Sequence, residues 1–207
     1  MEGRGQRGTS WDAEDGKNLT FSIVFPKPGF SPARQFLLSA AVATHVAGVL
    51  EKYRLPRLKV KWPNDIMSAN LKIGGILIEN VITEGRVVAS IIGLGLNVNQ
   101  ENFPGLLAAG SMASVSGQQY DLDEVLGSLL ENFETKLAAL SDEDSEAILT
   151  DYKNHLFRKG VPSTFELPDG SFLTGIISDV SESGKLLVQT EAEEIKEFDL
   201  KEIKLLY

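Results

Sequence analysis

The chain contains no cysteine. That one absence removes disulfides, a thiolate nucleophile and any cysteine-based zinc site. Histidine is nearly absent as well: His45 lies inside an apolar helical run and His155 among polar residues, neither with a partner at metal-ligand spacing. Serine–histidine hydrolysis and zinc catalysis are therefore poor fits. No apolar run reaches the ~18 residues that a membrane span needs, and the start carries no leader-peptide pattern. A basic excess is missing too. With 20 Lys and Arg against 29 Asp and Glu the net charge is −9, which argues against a general binder of nucleic acid or anionic membrane. The cytoplasm is the compartment these absences imply. What is left to run a reaction is lysine, arginine, carboxylates, amides and a borrowed ion.

What is present describes a folded protein. The 207 residues are 43% hydrophobic and 24% charged, the balance of a globular chain with room for one ordinary domain and a small one. Charge is unevenly spread: residues 121–151 hold ten acids and one base, whereas residues 52–61 hold five bases and no acid. Solvated surface explains the acidic run. The basic run leads directly into a motif.

The stretch NLTFSIVF (18–25) alternates apolar and polar residues and reads as a strand, stopped by Pro26 and Pro28. A helix follows, with Ser31 as N-cap and Pro32 in its first turn, apolar over most of its circumference and therefore deeply buried. RLKVKW is a short strand ending in a turn, PNDIMSAN (63–70). LKIGGILIENVI and GRVVASIIGLGLNV form a hairpin joined by Thr83-Glu84-Gly85. Residues 99–119 read as a long loop with at most a short helix. From Asp121, a capping residue paired with Glu124, apolar residues at Leu122, Val125, Leu126, Leu129, Leu130, Phe133 and Leu137 mark one helical stripe. A second helix spans 145–157. After Gly160 come about five short strands with turns at 167–170 and 181–185, a small β-barrel.

Four stretches carry chemistry. GRGQRG, at 3–8, satisfies G-x-G-x-x-G, yet no strand precedes it and no helix follows, so the dinucleotide-fold reading fails its context. Glycines beside Arg4 and Arg7 still let backbone amides and guanidinium groups approach a phosphate, although a mobile Arg-Gly tail has the same pattern. Trp11 offers an aromatic face for a base, or a core side chain. KWPND (61–65) places Lys61, Asn64 and Asp65 on a tight turn at a strand end. In LKIGGILIE, Lys72 lies in an apolar strand and needs an anion unless it sits on a solvent face, while Gly74 and Gly75 weaken the strand, as a close backbone approach requires. In GLGLN, Gly93, Gly95 and Asn97 share one face, a floor without side chains or a softened bend.

Taken together and in this order, GRGQRGTSW, KWPND, K-x-G-G-I-L-I-E and G-x-G-x-N resemble the catalytic domain of biotin–protein ligases. The β-rich tail resembles that family's SH3-like C-terminal domain, so the likeness spans essentially the whole chain. It implies an α+β fold: a class II synthetase-like catalytic domain at 1–158, a mixed sheet with helices on one side, and an SH3-like barrel at 159–207. It implies ATP and biotin as substrates, Mg²⁺ as cofactor and biotinoyl-5'-AMP as intermediate. The acceptor would be a lysine of a biotin carboxyl carrier domain of acetyl-CoA carboxylase or another biotin-dependent carboxylase. DNA and membranes are not implied as partners; a homodimer through the sheet is.

Position by position, the resemblance puts Gly3, Arg4, Gly5 and Arg7 in the adenylate-binding loop with Trp11, and Lys72 and Arg4 at the biotin carboxylate and α-phosphate. Lys61 adds charge at the phosphates, and Asn64 and Asp65 organise that corner, Asp65 toward the metal. Gly75, Gly93 and Gly95 allow close approach of biotin, and Asn97 reaches the adenylate. Two departures stand out. Gln6 replaces an arginine common in the family's loop, which loosens retention of the adenylate. The family's Ser-Thr segment and Gln for the biotin ring lie upstream of this loop, as does the DNA-binding domain of repressor-type ligases. The expectation is thus an N-terminally shortened ligase without transcriptional control. The alternatives are a non-catalytic remnant of the fold or a related lipoate- or octanoate-protein ligase.

Overall fold

The computed structural model describes residues 3–5, 10–26, 31–32, 35–138 and 145–207. Gly3–Arg4 (β1) and Ser10–Trp11 (β2) form a two-stranded ladder with Gly3 opposite Trp11. The main sheet holds Asn18–Pro26 (β3), Lys59–Lys61 (β4), Asp65–Ser68 (β5), Leu71–Thr83 (β6) and Arg86–Asn97 (β7), in the order β3-β7-β6-β5-β4. Its strand pairings are antiparallel, and parallel contact is confined to isolated bridges such as Val60 to Leu156 and Lys72 to Ala109.

The β6–β7 turn is two residues, Glu84 and Gly85, both at positive φ (50° and 73°), the geometry that matches the right-handed twist of the flanking strands. The stretch 63–70, expected as a turn, contains a strand instead. Ile66 and Met67 are fully buried in β5 between β4 and β6, and the chain reverses on either side of them. Burial of that apolar pair outweighs the turn-forming residues around it.

The described residues hold five helices: Gln35–Glu51 (α1), Met112–Ser116 (α2), Leu122–Leu130 (α3), Phe133–Ala138 (α4) and Ser145–His155 (α5). α1 is buried along nearly its whole circumference because it packs against β4, β5 and β6 on one side and α3, α4 and α5 on the other. The expected single stripe from 122 to 137 is two helices. Asp121 caps α3 by accepting from the Glu124 amide, but Asn132 takes φ 57° and breaks the run; asparagine tolerates that left-handed conformation better than most residues. The chain then builds a second sheet from Pro162–Glu166 (β8), Phe172–Val180 (β9), Leu186–Thr190 (β10), Ile195–Phe198 (β11) and Lys204–Leu206 (β12), in the order β11-β10-β9-β8-β12. Lys153 of α5 ties the two parts together through Asp179 of β9 at 2.9 Å.

His45 belongs to the core. Its Nε2 lies 3.0 Å from the Leu129 carbonyl, its ring stands edge-on to Phe133, and Nδ1 has no partner among the described residues. Burial lowers its pKa from 6.5, against the pull of the Leu129 carbonyl. The unfolded chain therefore binds a proton that the fold refuses, and stability contributed by neutral His45 is intact above pH 6.5 and lost as pH falls below it. Urea titrations should show the chain losing stability on the order of 1 kcal/mol more than His45→Gln between pH 7.5 and 5.5. Equal losses in the two chains would contradict this.

Candidate active site

One row of residues crosses the whole main sheet. Lys61 pairs with Asp65, Asp65 with Gly75, Gly75 with Gly95 and Gly95 with Thr20. Residues directly opposite on neighbouring strands share a face. The row therefore has two charged groups at one end, two residues without side chains in the middle and a hydroxyl at the other end. The next row, Leu77, Gly93 and Ser22, continues the same surface. Both rows line a cavity of about 870 Å³, to which Leu200, Lys201 and Lys204, from the part of the chain that builds the second sheet, also contribute.

Lys72 reaches this face because β6 is irregular. Residues 72 and 75 are an odd number apart, so a regular strand would point them in opposite directions. A register shift puts Met67 opposite Lys72 and Ile66 opposite Gly74, leaving Ile73 as the extra residue, and the bulge re-aims Lys72. The loop after β7 then fixes its backbone: Lys72 N–H donates to Ala108 O at 2.7 Å, and Gly110 N–H donates to Lys72 O at 2.9 Å.

Asp65 sits between two cations. Lys72 Nζ is 2.7 Å from Oδ1 and Lys61 Nζ is 3.8 Å from Oδ2. Lys61 also lies 4.9 Å over the Tyr207 ring. Burial pushes the Lys61 ammonium below the ordinary lysine range, opposed by the Asp65 carboxylate. The same burial, with Asp65 adding to it, raises the Tyr207 phenol. The cleft thus carries two positive groups for one shared carboxylate at this corner, a surplus suited to an anion.

Trp11 lies on the glycine floor. A Cβ on Gly95 would sit 2.5 Å from the indole, so only glycine permits the contact. Lys72 Nζ is 5.6 Å from the same ring, and the indole N–H is buried without a hydrogen-bond partner among the described residues.

The remaining sequence candidates fall as follows. Gly3 and Gly5 line the cavity beside Trp11. Arg4 is placed by its backbone in β1, with its side chain outside the description, and Arg7 lies outside the described residues. Asn64 is at the cavity wall, but its amide donates to Ile76 O, cross-linking the 62–64 turn to β6. Asn97 is buried away from the lining; its amide donates to Gly110 O at 2.9 Å and its carbonyl oxygen has no partner among the described residues. Thr20, Ser22, Lys201 and Lys204 line the cleft without having been singled out. For the first two the signal was present, since they are the polar positions of an alternating strand.

Asp65 does not make a cation site by itself. Both its oxygens face lysines, and no cluster of three or more His, Cys, Asp or Glu able to hold a metal exists among the described residues.

Residues 1–97 match the biotin/lipoate A/B protein ligase family and residues 162–200 the biotin protein ligase C-terminal domain. The chain is 31% identical to the bifunctional ligase/repressor BirA of Bacillus spizizenii over 98% of its own length, and spans 63% of that protein. It is 28% identical to the biotin–[acetyl-CoA-carboxylase] ligase of Paracoccus denitrificans, covering 92% of this chain and 81% of the relative. Among solved structures, the biotin protein ligase of Aquifex aeolicus in complex with biotin and ATP superposes with a TM-score of 0.79 at 25% identity, covering 98% of this chain and 84% of the other.

Proposed function

We propose that the chain is a biotin–protein ligase, which activates biotin with ATP and passes the biotinoyl group to a lysine of a carrier protein. The observation that carries this reading is the row from Lys61 through Asp65, Gly75 and Gly95 to Thr20, with Lys72 and Trp11 over it in one cavity. A free carboxylate is a poor acyl donor, and joining it to AMP supplies a good leaving group. No cysteine or histidine is needed for that, only alignment of two anions and neutralisation of phosphate charge.

In the first step a carboxylate oxygen of biotin attacks the α-phosphorus of ATP, the bond from that phosphorus to the α,β-bridging oxygen breaks and pyrophosphate leaves. Lys72 contacts the two reacting anions and Lys61 adds charge beside the phosphates. Asp65 holds both ammonium groups apart from each other and turned into the cleft. Gly75, Gly93 and Gly95 let the biotin rings approach the sheet, Trp11 gives the adenylate a flat apolar face, and Arg4 and Arg7 are assigned to its phosphate. In the second step the neutral amine of the carrier lysine attacks the acyl carbon, the bond to AMP oxygen breaks, and the amine's proton passes to solvent. The acceptor is a biotin carboxyl carrier domain. Magnesium would be held chiefly by the phosphates of ATP, since both Asp65 oxygens face lysines, and would neutralise charge on the leaving pyrophosphate. Residues 1–158 form the catalytic domain and 159–207 the C-terminal one.

Pyrophosphate release measured with ATP and Mg²⁺, in the presence of biotin or of lipoate, tests the assignment. Biotin should support release and lipoate should not. Release with lipoate alone, or with neither acid, would reject it.

A further inference from the structure

The turn that carries Lys61 and Asp65 is held from three sides. Trp62 Nε1–H donates to Gly184 O at 2.8 Å, crossing into the C-terminal domain. The Tyr152 hydroxyl, from α5, donates to Pro63 O at 3.0 Å. Asn64 donates through its side chain to Ile76 O, and Ile76 N–H returns to Asn64 O at 3.0 Å.

The first two ties belong to one circuit. Gly184 has φ +89°, and a Cβ there would lie 2.4 Å from the Phe36 ring, so its backbone is seated directly on α1. Phe36 stands edge-on to Tyr152 with centroids 5.3 Å apart. Gly184, Phe36, Tyr152, Pro63 and Trp62 therefore close a ring of contacts. The turn at 181–185 is itself braced: Gly184 N–H donates to Ser181 O and Ser181 N–H to Lys185 O, each at 2.9 Å, and Lys185 N–H donates to Ser181 Oγ at 3.0 Å. A braced loop, a close-packed seat and two directed hydrogen bonds converge on the dipeptide Trp62-Pro63, and the charged corner of the cleft lies on both sides of it. Trp62 has a single donor and commits it to Gly184, so its part is placement.

Resting on the function proposed above, we infer that the β9–β10 turn of the C-terminal domain sets the position of Lys61 and Asp65 for ATP, with Trp62 and Tyr152 as positioning residues. The C-terminal domain is then part of the nucleotide-handling geometry. Burial keeps the Tyr152 phenol protonated, a fixed donor at any working pH. Lys61 faces Asp65, Lys72, Lys204 and Tyr207, and its burial in that corner holds its pKa below the ordinary lysine range.

Trp62→Phe keeps most of the apolar bulk and removes the N–H, and Tyr152→Phe removes the hydroxyl alone. In each, KM for ATP in biotin-dependent pyrophosphate release should rise about tenfold, the size of one hydrogen bond to a fixed carbonyl. KM for biotin should stay where it is. The alkaline limb of kcat/KM for ATP should move up toward the ordinary lysine range as Lys61 regains water. The double variant should lose less than the product of the two singles, because both act on the same turn at Trp62-Pro63. A role in stability alone would lower the melting temperature and leave the KM ratio and the limb unmoved. Hydrogen exchange of the amides at 61–66 needs no turnover and should quicken by about tenfold in both variants. Unchanged exchange in both folded variants overturns the inference, as does an unchanged KM for ATP with an unmoved limb. Absence of biotin-dependent turnover in the parent chain, with exchange quickened in the variants, would reject the proposed function and leave the positioning circuit standing.

Discussion

Lys72→Ala should lower biotin-dependent pyrophosphate release by about 10²–10³-fold, the range seen when one preorganised donor to a developing charge is removed. The expectation follows from position. Lys72 is aimed into the cleft by a bulge, its backbone is clamped by Ala108 and Gly110, and its ammonium stands 2.7 Å from Asp65. Without it, Lys61 at 3.8 Å is the one cation left on Asp65 among the described residues, and that corner loses its surplus of positive charge where two anions must meet. Pre-steady-state release measured at saturating ATP and biotin isolates the chemical step. A near-normal rate would remove Lys72 from the reaction. Lys72→Arg should recover little of the loss, since a planar fork cannot occupy the site of a compact ammonium.

Gly95→Ala should destabilise the chain by roughly 1–3 kcal/mol, the cost of forcing a methyl group into a filled space. Its new Cβ would lie 2.5 Å from Trp11 Cε2 and 2.8 Å from Nε1, so the ring would have to leave its packed position on the floor. Gly93→Ala is the internal control. Its Cβ meets nothing nearer than 3.5 Å and should leave stability almost unchanged. The same pair separates two reasons for a glycine. Gly95 is required by the protein itself, whereas an alanine at 93 fits the protein and would act only on a ligand lying on the floor. Urea melts and biotin titration of both variants give the comparison, and a Gly95→Ala chain as stable as Gly93→Ala would refute the packing argument.

Much of this was legible in the residues. The strand at 18–25, the buried helix after Pro32, the Glu84-Gly85 hairpin and the five-stranded tail follow from alternation, caps and turn chemistry, and the structure has β3, α1, β6–β7 and β8–β12 in those places. The misses have physical causes. β5 is four residues long with turn-formers on both sides, so its two buried apolar side chains are too short a signal. The break between α3 and α4 rests on one left-handed asparagine that leaves the apolar stripe intact. At the site, spacing brought out Lys61, Asp65, Lys72 and the glycines, but the bulge that turns Lys72 inward depends on pairing between strands. The Trp62–Gly184 contact joins positions 122 residues apart, and no local pattern carries it. Asn97 illustrates the converse: its parity was right, yet Gly110 reaches its amide first.

The indole resting on Gly95 has a consequence for equilibrium measurements. Whatever settles on that floor displaces a tethered rival, so the affinity read from outside is the intrinsic one diminished by the fraction of chains in which Trp11 is seated. Trimming the rival to alanine would speed arrival of a small acid, and would also strip the departing intermediate of its cover.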